Sequence, residues 1–233
     1  MTPKLAASAA FATIGVACLI AAFWIHLKAF AAQVLINAAW DRTQQGASDA
    51  RPWPWADTTP VARITFHNWK SLVVLEGSSG RNLAFAPTHD PASVLPGEAG
   101  NSVVSAHRDT HFSELRHARL GDGIRVERTD GRSYVFTVTD MSVVDSRRVR
   151  LALADDESRI TLVTCYPFDA IQPGGPLRFV VTAILSESRS AVAGHLGDSP
   201  SLYGSSLDGY TPPRRVARAA ALPRPVPFEG LFR

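Results

Sequence analysis

Cysteine is nearly absent. The 233 residues hold two, Cys18 and Cys165, and neither has a partner cysteine at metal-ligand spacing. The seven histidines show no such spacing either, so no metal or other cofactor is expected. A strong excess of either charge is missing too. Lys+Arg number 24 against 21 Asp+Glu, for a formal +3 scattered along the chain without any DNA- or RNA-binding motif. That argues against a nucleic-acid partner. Residues 5–27 contain no Asp, Glu, Lys or Arg at all. As a helix this run is about 34 Å long, enough for a hydrocarbon core of about 30 Å. The apolar region of a cleaved signal peptide is normally shorter, about 7–15 residues. An Ala-x-Ala-like site does occur at Ala29 and Ala31, but the apolar helical pattern runs past Lys28 to Trp40. Retention as an anchor is therefore expected over cleavage.

After the apolar run, residues 41–57 (DRTQQGASDARPWPWAD) are polar and punctuated by Pro52 and Pro54, which reads as a linker. Trp53 and Trp55 are expected to cover the base of a β-domain rather than to sit at the membrane interface. From Val61 onward short extended runs alternate with turn signals: 61–66, 72–77, 101–107, 124–128, 133–140 continuing towards 145, 160–166 and 177–185. Asp130–Gly131 is a strong hairpin signal between the fourth and fifth of these. Residues 83–100, with three prolines, read as a long crossing loop, 112–120 as a short helix or turn, and 149–156 as a stretch of helical spacing. The expectation is a mainly β domain, a closed or nearly closed barrel of seven or eight strands over 58–186 with short helices. One transmembrane helix with a short cytoplasmic stub (1–40) precedes it. Residues 187–233 follow as a Pro/Arg-rich tail without a sustained apolar period, read as disordered.

One strand stands out. Residues 160–166 (ITLVTCY) lead into Pro167, which cannot donate a ladder hydrogen bond, so Cys165 falls at the last paired turn of a buried strand. An isolated cysteine is most often a small hydrophobe in a core. Here the chain looks exported, where a reachable unpaired thiol usually needs a reason. His107 ends another apolar run (NSVVSAH), and Arg178 begins a third (LRFVVTAIL). Cysteine, histidine and arginine at three strand ends suit covalent acyl transfer: a thiolate attacks a carbonyl, an imidazole moves protons, and a fixed cation meets the developing oxyanion. The other histidines lie in turns, loops or polar surroundings or beside the apolar helix. Asp109 is a same-side neighbour that could orient the imidazole, although an acidic turn residue is the commoner explanation.

The strand motif TLVTC, with a histidine upstream in Ala-His-Arg-Asp-Thr and an arginine downstream in Gly-Pro-Leu-Arg-Phe, resembles the sortases, membrane-anchored cysteine transpeptidases. The likeness is closest to the proteobacterial members, through Trp53-Pro54-Trp55, PGEAGN at 96–101 and TCYPFDA at 164–170, and covers roughly 53–186. The resemblance implies Cys165 as nucleophile, His107 as general acid and base, and Arg178 as the residue that stabilises the oxyanion or holds the substrate backbone. Thr164 would be a substrate-facing member of the active-site strand. It also implies cleavage of a C-terminal Leu-Pro-x-Thr-Gly-like sorting signal between Thr and Gly, and transfer of the protein to an amine acceptor in the cell envelope. The enzyme would sit in the inner membrane with its barrel on the periplasmic side. Two alternatives stay open: the same fold acting as a thiol hydrolase, and a membrane-tethered β-barrel binding module with an inert cysteine. A peptidoglycan L,D-transpeptidase fits less well, because its histidine and cysteine lie much closer in sequence than His107 and Cys165 do here.

Overall fold

The computed structural model describes residues 3–66, 70–77, 79–172, 174–189 and 226–227. Most of the C-terminal tail, and the turn expected around His67, lie outside the described residues. The chain opens with helix α1 (Pro3–Gln44). The strands of the barrel follow: β1 (Pro60–Phe66), β2 (Leu72–Glu76), β3 (Thr88–His89), β4 (Gly100–Ser105), β5 (Gly123–Arg128) and β6 (Ser133–Asp145). The two-residue β7 (Arg150–Leu151) stands apart, and β8 (Ser158–Cys165) and β9 (Leu177–Arg189) complete the barrel. In space the closed barrel runs β1-β2-β3-β4-β8-β9-β6-β5, so eight strands close on themselves and no long edge is left. The expected mainly β architecture is the observed one.

The alternation of the strands places the core. Ile64, Phe66, Val104, Val126, Phe136, Ile160, Leu162, Val181 and Ala183 fill the barrel. The other faces of β4, β8 and β9 are also covered: Val103, Val163 and Val180 form a separate cluster, with Val144, Leu151 and Leu153 packed on it. This explains why β4 is buried at every position and β8 along most of its length. It also corrects one expectation. Residues 149–156 form no helix; they hold β7 and an irregular stretch, because Leu151 and Leu153 alternate to cap this outer cluster. Arg159 Nη2 closes the stretch against Asp155 Oδ2 at 2.6 Å.

Hairpin β5–β6 turns at Gly131, whose φ of 77° suits a residue without Cβ. The pairing of β6 and β9 extends over both 13-residue strands, from Ser133↔Arg189 to Asp145↔Leu177. Between β2 and β3 the chain makes only a single helical turn, α2 (Gly80–Leu83), capped by the Ser79 hydroxyl.

Helix α1 divides in two. From residue 11 to 30 its described side chains are exposed and mostly apolar, with Phe11, Leu19, Ile20 and Phe23 each more than 60% exposed. It is the one helix among the described residues long and apolar enough to cross a membrane. From Ala32 onward it packs on the barrel: Ile36 and Trp40 join Val73, Leu75 and Ala86 in a third cluster, with Trp53 and Phe85 alongside. Trp53 meets Phe85 edge-on with ring centroids 5.3 Å apart, whereas Trp55 is 81% exposed. The polar stretch after α1 lies against the domain, with Arg42 Nη2 donating to the Arg51 carbonyl at 2.8 Å and Ala50 and Ala56 buried.

The last turns of α1 therefore act as part of the barrel's packing. Trp40→Ala is expected to cost about 3–5 kcal/mol, the range for emptying a buried Trp site. A fragment starting at residue 53 should melt well below one starting at residue 31. Thermal unfolding of the two fragments and the variant checks this, and equal midpoints would contradict it.

Candidate active site

Register brings the site together. Strands β4 and β8 are parallel, from Gly100↔Ser158 to Ser105↔Val163, and every pair has the same offset in sequence. His107 and Cys165 share that offset. The ladder continues past the last pair: the Ala106 N–H donates to the Val163 carbonyl at 3.2 Å. The Thr164 hydroxyl donates to the Ala106 carbonyl at 2.8 Å. Carried two residues past its last pair, Ser105↔Val163, the same register would bring His107 level with Cys165. On the other side of β8 the antiparallel pairing puts Cys165 directly opposite Arg178. Cys165 and Arg178 thus face each other, and extrapolating the β4–β8 offset past the end of β4 puts His107 in the same row.

That row lies on the outside of the barrel. Ile160 and Leu162 point into the barrel core, and Val163 belongs to the outer cluster with Val103 and Val180. Alternation carries Cys165 to the same outer face as Val163, and Arg178 to the face of Val180. All three residues are half-buried, as suits groups that must meet a solute. Directly opposite positions on one face hold Cβ atoms about 4.5–5.5 Å apart, so the side chains of Arg178 and Cys165 start from neighbouring points.

The two strand-end loops are fastened to each other. Arg178 Nη1 donates to the Gly175 carbonyl at 2.6 Å and to the Leu177 carbonyl at 2.9 Å, which fixes the head of the side chain. Arg108, next to His107, reaches across with Nη2 to the Ala170 carbonyl at 2.8 Å. Tyr166, Phe168 and Phe179 pack as an aromatic cluster just past Cys165, and Arg116 lies 5.2 Å over the Phe168 ring. The chain turns out of β8 through a cis Tyr166–Pro167 bond. On the β6 side, the Asp145 carboxylate accepts from Arg147 N, Nε and Nη2 at 2.9, 3.0 and 2.7 Å. Hydrogen bonds from the Arg147 side chain hold that carboxyl down to about 2. A depressed carboxyl pKa stabilises the turn above the ordinary carboxylate range, an effect lost only as pH falls towards 2. The turn stays pinned at neutral pH.

Thr164, expected to face substrate, is fully buried, and its hydroxyl is engaged with Ala106, the residue before His107. No hydrogen bond joins the His107 ring to Asp109 among the described residues. Residues that sequence reasoning did not single out also shape the site: Arg108 as the inter-loop clamp, the aromatic cluster, and His111. The Ala-His-Arg-Asp-Thr motif contains Arg108 and could have flagged it. His111 stood in a polar turn with no periodic signal. Another histidine, His89, is a satisfied core residue: its Nε2 lies 2.9 Å from the Val94 carbonyl, and burial pushes it below the ordinary histidine range. No group of three or more His, Cys, Asp or Glu suited to a metal occurs among the described residues.

The Thr164–Ala106 bond is the tie between the nucleophile strand and the histidine turn. Thr164→Val keeps the volume and strands a buried carbonyl, for an expected cost of about 1–3 kcal/mol. Urea unfolding reads it, and a variant as stable as the parent would show that this bond does not hold the turn.

Comparison with known proteins agrees with this fold. Residues 64–186, just over half of the chain, match the family model for the Sortase domain. Sortase D of Bacillus subtilis (strain 168) is 28% identical over 111 residues, covering 47% of this chain. The chain spans about half the length of that relative, 55%. Among solved structures, sortase A of Listeria monocytogenes superposes with a TM-score of 0.51 at 24% identity, covering 57% of this chain and 92% of its own. Sortase A from Corynebacterium diphtheriae gives 0.51 at 21% identity, covering 67% and 84%. At these identities the solved structures speak for the fold, and the family model speaks for descent. The chain belongs to the sortase family.

Proposed function

We propose that the protein is a cysteine transpeptidase that cuts a C-terminal Leu-Pro-x-Thr-Gly-like sorting signal between Thr and Gly and passes the acyl part to an amine acceptor. What supports this reading is the pairing of Cys165 with Arg178, together with the β4–β8 offset that, carried two residues on, brings His107 into the same row. The thiolate of Cys165 attacks the threonine carbonyl, and Arg178 meets the oxyanion or the adjoining substrate backbone. The C–N bond breaks as His107 gives a proton to the departing glycine amine, leaving a thioester. His107 then takes a proton from the incoming amine, which attacks the thioester, and the C–S bond breaks to restore the thiolate. A guanidinium stays charged throughout and offers a planar fork that an ammonium cannot copy. Buried Thr164 positions the histidine turn and touches no substrate in this scheme.

The exposed apolar part of α1 suggests a single-pass anchor. We place the enzyme in the inner membrane with its barrel on the periplasmic side, and among the proteobacterial members through Trp53-Pro54-Trp55 and the TCYPFDA segment. Substrates would be envelope proteins that carry the sorting signal.

Intact mass of the full chain in detergent, mixed with a Leu-Pro-x-Thr-Gly peptide, tests the reading. The expected result is a mass gain equal to the peptide through threonine, lost with hydroxylamine and absent in Cys165→Ala. An added amine should convert the product from acid to amide; acid alone would mean a hydrolase. Arg178→Lys should lower kcat by about a hundredfold or more, as loss of one oxyanion donor does. An unlabelled Cys165 that also resists alkylation would leave only a binding module.

A further inference from the structure

A cavity of about 820 Å³, within the size range of ligand sites, lies between α1 and the barrel. Helix α1 walls one side with Lys28 and Phe30, and Lys70, Leu72 and Phe85 wall the other. Position along the helix sets the depth of this cavity. Residues 11–30 rise about 30 Å as a helix, the thickness of a hydrocarbon core. Lys28 is the first charged residue after the uncharged run 5–27. Its Nζ stands 5.3 Å from the centroid of the Trp24 ring, one helical turn back. A tryptophan and a lysine so placed mark the border of an apolar span. One turn past Lys28, Ala32 begins the packing on the barrel. With the apolar run in a bilayer, the cavity lies level with the phospholipid headgroups.

We propose that this cavity seats the headgroup of one acidic phospholipid, with the phosphate between Lys28 and Lys70. This rests on the reading of α1 as a membrane anchor and is independent of the chemistry at Cys165. Neither lysine forms an ion pair among the described residues. Helix α1 carries no Asp or Glu before Asp41. Glu114 is the one carboxylate on the cavity wall, and it is exposed to solvent. Two ammonium groups against one solvated carboxylate leave a net positive wall, which suits an anionic headgroup better than a zwitterionic one.

A free inorganic anion would satisfy the lysines and leave the rest of the wall in water. Phe30 is 68% exposed, and Leu72 and Phe85 are half-buried. Covering these faces removes apolar surface from water. Phe30 also continues the exposed apolar side chains Phe23 and Leu27 along α1. A lipid whose phosphate meets the lysines therefore finds apolar surface for its glycerol and for the first carbons of its chains. The occupant is amphipathic because the wall is.

The test is native mass spectrometry of the full chain in a neutral detergent. The chain is titrated with dioleoylphosphatidylglycerol or with dioleoylphosphatidylcholine, which has the same chains and no net charge. The expected result is one saturable phosphatidylglycerol per chain, held about tenfold or more tighter than phosphatidylcholine. Lys28→Gln and Lys70→Gln should each weaken it about fivefold, the effect of one basic residue at a lipid surface. The pair Ala29→Trp/Ala84→Trp fills the wall at two exposed alanines without changing charge. It should abolish the saturable adduct with the melting temperature unchanged. Lys4→Gln, at the other end of α1, should bind as the parent does. Equal affinity for the two lipids, or lysine variants that bind as the parent does, would overturn the proposal. An equal loss in Lys4→Gln would overturn it too, as general attraction to acidic lipid. Displacement of the lipid by excess inorganic phosphate would make this a free-anion site and end the lipid assignment. Flotation with vesicles of phosphatidylcholine alone separates the site from the anchor it rests on. Parent and variants should all float. If the parent does not, the anchor falls and the site with it; if all float while the adducts ignore charge, the anchor stands and the lipid site alone fails.

Discussion

The constant sequence offset between paired residues of β4 and β8 is the constraint on which the site depends. Parallel pairing keeps that offset at every rung, so burying the outer faces of Val103 and Val163 decides where residues 107 and 165 fall. A slip of one residue would turn Val163 inward and carry Cys165 into the barrel with it. Both faces of β8 are covered, by the barrel core on one side and by the Val103–Val163–Val180 cluster on the other, and such a slip would expose or displace apolar groups on both. The proposed chemistry sits at the open end of a register that hydrophobic burial enforces. Antiparallel β9 then adds the cation opposite the thiol, with no further requirement than its own pairing.

A second constraint comes from α1. A single helix runs from the exposed apolar region into a seat on β1 and β2, where Ile36, Ala39 and Trp40 are buried. Arg63 adds a cation–π contact over the Trp40 ring at 5.1 Å. The barrel is therefore held to the helix by packing rather than hung on a loose tether. If the exposed part spans a bilayer, the barrel sits at a set height above it.

Much of this was legible in the sequence, for identifiable reasons. The barrel strands announced themselves by alternation between turn signals, and the expected strand-end positions of Cys165 and Arg178 are the observed ones. What stayed hidden depends on contacts far apart in the chain. The hydroxyl of Thr164 finds the distant Ala106 carbonyl, and no local pattern marks it as a structural partner instead of a substrate contact. Strand β3 is two residues long amid prolines and carries no periodicity. Residues 149–156 showed helical spacing, yet Leu151 and Leu153 serve an outer cluster that only the folded sheet creates. In α1 an unbroken apolar run disguised the switch from an exposed stretch to one packed on protein.

The central claim, that the register places His107 and Cys165 side by side, has a direct geometric test. In a Cys18→Ser background, His107→Cys should form a disulfide with Cys165 under mild oxidation, since neighbouring strand positions fall within the Cα separation of about 4.4–6.8 Å that a disulfide spans. The account predicts an intact mass lower by two hydrogens and both thiols protected from alkylation, with Arg108→Cys failing to cross-link because its side chain leaves the row. Two freely alkylated thiols in the His107→Cys protein, or efficient cross-linking from position 108 instead, would contradict it.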